Sequence, residues 1–410
     1  TAPREPTMTA WQRACCPAGR YHGVRLTLVW LAVLVLGHVT THAAGDTATV
    51  SLSPLKTRPL TSRPDRKNQT LHERLAGFSF GPVDYAIAYK AAYDPNQPER
   101  AFPLEGTIGM PRPASCNWYH GGFLFVLVNG QDIGTAPLSS MVAAESGKRA
   151  ILDLVWYHAA ADVRVRFAGL PEQDYLICEI AIDPKTEVKT LAVKLRCYPS
   201  FFTSWRKRVG ARRIQTPGGI VMEGERKTFP GEESWWAVFY DDVFDPGRGE
   251  GEGPCALLVD PAPMREIRHT PTGYPVETVL SCTPDTRRVR LALWDFRGKD
   301  NATALARIRS AADTVREQLE TIDLTPEALS TFDAEAARRE VAEALSSPSV
   351  PSALADKLQD VMKRLDRVNP DAPTHEGPGT VSRQEALLAT SAALNRVIWE
   401  VRLTALLNDL

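Results

Sequence analysis

The sequence predicts a mainly β protein, a large antiparallel β-sandwich followed by a helical C-terminal region. Three observations lead to this prediction. From about residue 75 to 298, short apolar runs alternate with polar residues and are separated by Gly, Pro, Asn and Asp. No helix of useful length separates these runs, whereas parallel strands would need helical crossovers. After Asp300, apolar residues recur at every third or fourth position instead.

The strands are marked by apolar runs that end at turn residues. The run 123–128 (FLFVLV) is continuously apolar and stops at Asn129-Gly130, a dipeptide typical of tight hairpin turns. Further strands are predicted at 85–90, 151–157, 175–182, 220–223, 235–240, 256–259, 277–282 and 289–294.

Two strands alternate apolar residues with cations. In 163–167 (VRVRF) the alternation places Arg164 and Arg166 on the solvent face, and in 191–197 (LAVKLRC) it does the same for Lys194 and Arg196. This pattern is typical of a sheet with one face in the core and one face in water.

The C-terminal region shows helical periodicity and helix-start signals. Residues 301–319 carry an apolar stripe, and Thr325 with Pro326 forms a typical helix start. Ser352 is a predicted cap for a helix through Val368, and an apolar face from Leu387 onward marks a last helix. These helices either pack together or cover the sheet.

The N-terminal segment has the features of a secretory signal. Arginines precede the apolar run 26–37, which ends at the small residues of Thr41-His42-Ala43. The predicted organisation is a signal peptide at 1–43, a linker at 44–66, a β-sandwich domain at 67–300 and a helical region at 301–410. The expected location is secreted or periplasmic, with no membrane contact after cleavage. An uncleaved membrane anchor is the alternative.

Charge and cysteine usage exclude several functions. Lys plus Arg total 48 against 49 for Asp plus Glu, a net charge of −1 that gives no reason to expect nucleic acid as a partner. Oligomeric state stays open. No cofactor-binding motif and no Cys/His spacing typical of a metal site occur. We therefore expect neither a cofactor nor a bound metal.

Five cysteines follow the signal, an odd number that cannot all pair within one chain. Cys178 and Cys197 lie in consecutive strands, and a hairpin centred at 183–185 would set Cys178 opposite roughly residue 192. Small, buried apolar side chains are the predicted state of most of these five residues, and the disulfide pairing stays open: Cys116, Cys178, Cys197, Cys255 and Cys282.

One short motif is set aside. Residues 77–81 (GFSFG) match the GxSxG elbow of serine hydrolases, in which the serine sits at a sharp strand-to-helix turn. Pro82 follows at once and the chain continues as a predicted strand. The context that the elbow needs is missing.

Four residues are candidates for acid–base chemistry. Asp241 and Asp242 follow a Trp-rich strand, where a pair of carboxylates suits a sugar-processing cleft. Adjacent strand residues point to opposite faces, so the two serve one site only if the strand ends there. His120 and His158 each follow an aromatic pair and titrate near neutrality. Solvation of a turn, and a hydrogen-bonded loop histidine, are the alternatives.

Aromatic and basic residues are candidates for ligand binding. Aromatic rings suit both the C–H faces of sugars and a sandwich core, and of two neighbours on a strand one ring faces outward. Arg206 and Arg208 lie in the densest basic segment and could bind an anionic glycan or a phosphate, or be solvated in an exposed loop. The aromatic candidates are Trp118, Trp156, Trp235, Trp236 and Tyr240.

Residues 120–300 have the strand rhythm of a large secreted sandwich. Their strand pattern resembles that of the galactose-mutarotase-like supersandwich. The segments that carry the resemblance are the run VRVRFAGLPEQDYLICEIAIDPKTEVKTLAVKLRCYPSFF, a basic loop, Thr216-Pro217-Gly218-Gly219 and the Trp-rich strand. This resemblance implies carbohydrate as the ligand class and does not imply catalysis. The functional expectation is an extracytoplasmic protein that binds or acts on carbohydrate. The alternative is a non-catalytic envelope or assembly protein.

Overall fold

Two antiparallel sheets form the body of the structure, which is a computed structural model. It describes residues 47–61, 66–199, 203–249, 252–271, 275–347, 350–367 and 379–408. The signal-peptide prediction for 1–43 lies outside these residues. In chain order the strands are β1 Thr49–Leu52, β2 Lys56–Pro59, β3 Thr70–Phe80, β4 Val83–Tyr93, β5 Ala101–Phe102, β6 Ile108–Arg112, β7 Leu124–Val128, β8 Gln131–Asp132, β9 Leu138–Glu145, β10 Ala150–Tyr157, β11 Ala161–Gly169, β12 Tyr175–Pro184, β13 Leu191–Cys197, β14 Arg212–Thr216, β15 Gly219–Met222, β16 Lys227–Pro230, β17 Trp236–Asp241, β18 Cys255–Val259, β19 Met264–Thr270, β20 Val276–Cys282 and β21 Arg288–Asp295.

The strands divide into two sheets, which confirms the predicted fold class. Sheet I has twelve of the described strands, in the order β1-β3-β4-β6-β7-β13-β20-β19-β16 with β2, β5 and β8 paired beside this path. Sheet II has nine described strands, in the order β15-β14-β17-β18-β21-β12-β11-β10-β9. Neighbouring strands are antiparallel in both sheets, for example β10 with β11 and β13 with β20.

One hydrophobic cluster contains side chains from both sheets. The ring of Phe123, just before β7 in sheet I, lies 6.4 Å from that of Phe167 in sheet II. Trp118 contacts Phe123 at 6.1 Å and Phe239 of sheet II at 5.8 Å between ring centroids. The cluster also holds Cys116, Cys178, Cys197, Cys255 and Cys282, all of them buried, as predicted for most of these residues.

The described helices pack on sheet II or on one another. Asp300 caps the first long helix by accepting a hydrogen bond from the Thr303 backbone N–H at 2.7 Å. Its apolar stripe packs on β17, β18 and β21, while the last helix packs on β11 and β12 and on its helical neighbours. Both predicted arrangements therefore occur. The helices are α1 Thr203–Lys207, α2 Asn301–Thr321, α3 Glu327–Ser330, α4 Ala334–Ser346, α5 Ser352–Arg367 and α6 Thr380–Asn408.

The helices and sheets belong to one unit, Ala44–Leu410. Among the described helices, none combines the length and the apolar character needed to cross a membrane.

The region predicted as a linker, 44–66, contains two strands. β1 pairs with β3 so that Thr49 lies opposite Ser79, and β2 pairs with the other end of β3. Val50 is buried in the core while Thr49 and Ser51 are exposed. The prediction of a loose arm is wrong for β1 and β2, because strands this short bury too few side chains to show a sustained period.

The predicted hairpin between β12 and β13 is also wrong. Cys178 lies opposite Phe167 and Leu291 in sheet II, whereas Cys197 lies opposite Val276 in sheet I. Residues 185–190 form a connection long enough to cross between packed sheets, which are about 10 Å apart. The side chain of Asn129 holds this connection by accepting from the Lys189 backbone N–H at 2.7 Å.

The GFSFG segment lies within β3, and no helix follows it. Ser79 is opposite Asp84 in the β3–β4 hairpin, which turns at Gly81 with a φ of 55°. The structure thus agrees with setting the hydrolase motif aside. The Asn129-Gly130 turn is confirmed, because both residues have positive φ (51° and 78°) and join β7 to β8.

Candidate functional site

The two predicted carboxylates at the end of β17 do not share a site. Asp241 is fully buried, and its carboxylate accepts hydrogen bonds from the backbone N–H groups of Ser204 at 2.6 Å and Val243 at 3.1 Å. Asp242 is exposed and forms an ion pair with Arg213 at 2.9 Å. The Asp241 carboxylate is therefore held by backbone N–H groups inside the fold, and the opposite-face argument explains why the pair separates.

The predicted tryptophans are mainly core residues. Trp118 is fully buried and donates its indole N–H to the Trp294 carbonyl at 3.3 Å, and Trp156 is 2% exposed. They are wrong as ligand-binding predictions, because their rings face the sandwich interior.

The aromatic residues around β17 lie beside helix α2. Trp235 is 9% exposed, with the Arg316 guanidinium of α2 at 4.8 Å from its ring. Tyr240 is buried too, and Trp236 is half-buried against the core. The structure does not bring these three rings together in a ligand cleft.

The basic candidates lie at the surface. Arg206 is in α1 and Arg208 follows it with a positive φ of 54°, and both are exposed. Residues 250–251 of the neighbouring Gly/Glu-rich loop lie outside the described residues. Anion binding by Arg206 and Arg208 stays a prediction.

His158 lies at a cleft where the two sheets meet. The cleft has a volume of about 610 Å³. Its walls come from three places in the chain: the segment before β5, the β8 strand with the turn that follows it, and the end of β10. The lining residues are Glu99, Arg100, Gln131, Asp132, Thr135, Ala136, Tyr157, His158 and Ala159.

Local sequence positions the polar side of this cleft. The Asn129-Gly130 turn brings Asp132 back opposite Leu127, and the Asp132 carboxylate then accepts from the Gly134 backbone N–H at 2.9 Å. That hydrogen bond caps a short 3-10 turn, Ile133–Thr135. This hydrogen bond fixes the orientation of the Asp132 side chain.

The other wall presents an outward ring. Trp156 and Tyr157 end β10, and the alternation of the strand turns Trp156 inward and Tyr157 outward, where it is 40% exposed. The Tyr157 hydroxyl bonds to the carboxylate of Glu385 from the first turns of α6, and Glu385 also accepts from the Ser139 hydroxyl at 2.9 Å. Helix α6 thus fixes the Tyr157 ring at the cleft.

Asp132 and His158 influence each other electrostatically. Burial raises the pKa of the Asp132 carboxyl, and the Gly134 N–H, Lys194 and His158 oppose this change. Burial lowers the pKa of His158, against the opposing effect of Asp132. The ring Nδ1 accepts from the Ala160 backbone N–H at 3.1 Å, so a neutral His158 carries its proton on Nε2. The pair offers one carboxylate and one neutral imidazole to a ligand.

His120 occupies a different position on sheet I. Its Nδ1 lies 2.9 Å from the Ser115 carbonyl, and burial lowers its pKa. The charges of Lys90 and Glu105 also act on this ring. His120 is not among the residues that line the cleft.

Sequence reasoning missed Asp132 and did not single out Tyr157. The signal for Tyr157 was available, because the ring beside an inward tryptophan must point outward. Asp132 follows a recognisable turn, but nothing local shows that the end of β10 and helix α6 lie beside it. In the described part of the chain, no three His, Cys, Asp or Glu side chains are placed to hold a metal ion.

Comparison with known proteins gives distant likenesses only. No family model matches the sequence, and no curated protein does. A proposed aldose 1-epimerase from Klebsiella pneumoniae is 8% identical, with a TM-score of 0.34, over 67% of this chain and 96% of that one.

Two other solved structures are similarly distant. A GH36 alpha-galactosidase from Geobacillus stearothermophilus is 11% identical, with a TM-score of 0.28, over 60% of this chain and 41% of that one. A TPR-domain protein from Parabacteroides distasonis is 11% identical, with a TM-score of 0.31, over 87% of this chain and 78% of that one. Likenesses at this level carry no argument about function.

Proposed function

We propose that this is an exported carbohydrate-binding protein whose saccharide lies in the cleft between Asp132 and Tyr157. The observation that carries the proposal is the exposed Tyr157 ring, fixed by Glu385 and facing a cleft with polar walls. A flat ring with a polar edge suits the C–H face of a sugar. Export rests on the sequence pattern of residues 20–43.

The size and polarity of the cleft support this ligand class. A volume of about 610 Å³ falls in the usual range of small-molecule sites, roughly 300–1,000 Å³. Gln131 offers an amide, Arg100 a donor and Asp132 an acceptor, and sugar hydroxyls both donate and accept. The mixture suits a polyol better than an apolar ligand.

The test is a glycan-array screen of the full chain, followed by calorimetry on any glycan bound. Tyr157→Ala should weaken binding at least about tenfold, because it removes the stacking ring. Tyr157→Phe keeps the ring and should retain most of the affinity. Trp399→Ala, which removes an exposed ring on α6, is the matched control. Equal affinity of Tyr157→Ala and the unchanged protein would refute the site.

Catalysis is a separate question at the same cleft. If the bound sugar is also converted, Asp132→Asn and His158→Gln should abolish turnover while binding survives, since each keeps the shape and loses the titrating group. Turnover unchanged in both variants would exclude this pair as the catalytic groups.

A second candidate function is that of a non-catalytic assembly protein. The end of α6 exposes four large apolar side chains at helical spacing, Trp399, Leu403, Leu406 and Leu407, of which three are more than 60% exposed. Such a patch is typical of an interaction surface. Sedimentation of the full chain and of a Trp399→Ser/Leu406→Ser variant tests this function. Identical, monomeric behaviour together with glycan binding would favour the first proposal.

A further inference from the structure

The outer face of sheet I carries two cations beside the cleft. Lys194 and Arg196 alternate with buried residues on β13, so both point outward. The Lys194 ammonium lies 4.4 Å from the centre of the Phe125 ring, and the Arg196 guanidinium lies 4.7 Å from it. Phe125 is 7% exposed, so the two cations form its cover.

Strand register places this cation pair, Lys194 and Arg196, on the same face as Asp132. Residues directly opposite in an antiparallel pair share a face. Phe125 is opposite Lys194, and Leu127 is opposite both Ala192 on β13 and Asp132 on β8. The charges of Lys194 and Arg196 act on the Asp132 carboxyl, which lines the cleft. The cation pair therefore lies on the sheet face that carries Asp132, a lining residue of the cleft.

The two cations differ in how they are neutralised. Arg196 forms an ion pair with Glu277 at 2.8 Å and also donates to the Glu105 carbonyl at 3.4 Å. For Lys194, no carboxylate of the described residues lies within ion-pair distance. Burial, and then the like charge of Arg196, lower the pKa of Lys194, against the opposing charges of Glu277 and Asp132. An ammonium with nearby aromatic packing and no ion-pair partner is suited to receive an anion from solution.

The surrounding carboxylates do not occupy this position. Glu277 is engaged by Arg196, and Asp132 is oriented by the Gly134 N–H. The Glu105 carboxylate bonds to the Tyr119 hydroxyl. Each is committed to a partner other than Lys194.

We infer that Lys194, with Arg196, forms an anion subsite beside the cleft, and that the ligand of the protein is an acidic saccharide. The inference rests on the proposed function and names its ligand class: the neutral part of the sugar stacks on Tyr157, and a carboxylate, sulfate or phosphate group reaches Lys194. The anion bonds to the ammonium without any covalent step.

The test compares matched neutral and acidic sugars on the full chain. Glucuronate and galacturonate are measured against glucose and galactose by saturation-transfer NMR and calorimetry, with inorganic phosphate as the probe without a sugar. We expect the uronates to bind roughly tenfold tighter, as one charge-assisted contact predicts. The preference should shrink as salt rises.

Variants at Lys194 assign the effect to the cation pair. Lys194→Met keeps the aliphatic cover of Phe125 without the charge and should remove the preference, while Lys194→Arg should keep it. Lys189→Met, at an exposed lysine on the preceding connection, is the matched control and should change nothing. A preference that survives Lys194→Met would overturn the subsite.

The outcomes separate the two proposals. Neutral sugars that bind through Tyr157, with no advantage for uronates, would overturn the subsite and leave the proposed function standing. Phosphate that binds through Lys194, with no saccharide bound, would overturn the carbohydrate proposal and the acidic-saccharide ligand, leaving an anion site alone. Failure of every probe to bind would overturn both.

Discussion

Strands β11 and β13 carry nearly the same local pattern and have opposite environments. Both alternate apolar residues with two cations, Arg164 and Arg166 in β11 and Lys194 and Arg196 in β13. In β11 the arginines are 5% and 1% exposed, whereas the β13 cations are only half-buried. The alternation determines which face a cation takes. What covers that face is determined by distant parts of the chain.

The covered face of sheet II uses its cations to hold helices. Arg166 bonds to Asp153 at 2.6 Å and donates to the Leu324 carbonyl at 2.8 Å. Arg290 bonds to Glu179 at 2.9 Å and donates to the Leu319 carbonyl near the end of α2. Cations at a helix C-terminus satisfy unpaired carbonyls and complement the helix dipole. These arginines join the sheet to the helical region.

The open face of sheet I uses its cations differently. Lys194 and Arg196 are half-buried, cover the Phe125 ring and share a sheet face with Asp132 of the cleft. The described long helices pack on sheet II or on each other rather than here. The same alternation of apolar residues and cations therefore has two results. Where a helix covers the sheet, the cations form buried ion pairs that hold the helix, and where no helix covers it, they form a candidate binding surface.

The largest effect is expected from removing one partner of the buried ion pair between Asp153 and Arg166. Asp153→Ala leaves Arg166 buried without its partner, and loss of one member of a buried pair costs about 3–5 kcal/mol. Urea unfolding followed by circular dichroism should show this decrease in the free energy of unfolding. The surface pair of Arg213 with the exposed Asp242 is the control, since Asp242→Ala should cost about 1 kcal/mol at most. Equal costs would contradict the difference between covered and open faces.

A pH titration sharpens the comparison at two equally buried carboxylates, Glu179 and Asp295, each 5% exposed. Burial acts to raise the pKa of Glu179, but Arg164, Arg166 and Arg290 reverse this and lower it. Asp295 has no such cluster of arginines, and burial raises its pKa to about 8.

The two carboxylates therefore change the free energy of unfolding in opposite directions as pH rises. The contribution of Glu179 to stability is present above its unfolded pKa of about 4.3 and is lost as pH falls below it. Asp295 is protonated in the folded protein, so stability decreases as pH rises from about 4 to about 8, by up to about 1.4 kcal/mol per pH unit. Asp295→Asn should flatten this alkaline-side decrease in thermal unfolding measured at pH 5 to 8.5.

The amide of Asp295→Asn keeps a hydrogen-bond donor at residue 295. The Asp295 Oδ2 and the Asn117 Oδ1 are both buried without a hydrogen-bond partner, and the protonated carboxyl and the amide each supply a donor at this place. Asp295→Leu is the control, since it removes the titrating group and the donor together. A pH slope in Asp295→Asn equal to that of the unchanged protein would assign the titration to another group.

The strands, the tight turn and the buried cysteines were predictable because each depends on neighbouring residues. Asn129-Gly130 makes its own turn, and alternation in β10 alone turns Tyr157 outward. The assignment of β12 and β13 to different sheets depends on pairing with β21 and β20, which lie about 80 residues or more further along the chain.

The candidate site was only partly predictable for the same reason. His158 was identified from its residue type, but Asp132 lies beside it only after the sheets pack, and Glu385 reaches Tyr157 from 228 positions along the chain. Conversely, the aromatic residues chosen by type were mostly core, because a ring that suits a sugar also suits a sandwich interior. Residue type alone does not distinguish the two.

The smallest expected effect concerns the open face itself. Lys194→Met should change the free energy of unfolding by less than about 1 kcal/mol, because the ammonium has no ion pair to lose and the methionine chain still covers Phe125. Arg166→Met, the same kind of change on the covered face, should cost several times more, since it leaves Asp153 buried and unpaired. Both variants are measured in one urea series with circular dichroism. If Lys194→Met lowers the free energy of unfolding as much as Arg166→Met does, the cations of β13 stabilise the fold as those of β11 do. In that case Lys194 is not an ammonium available to a ligand.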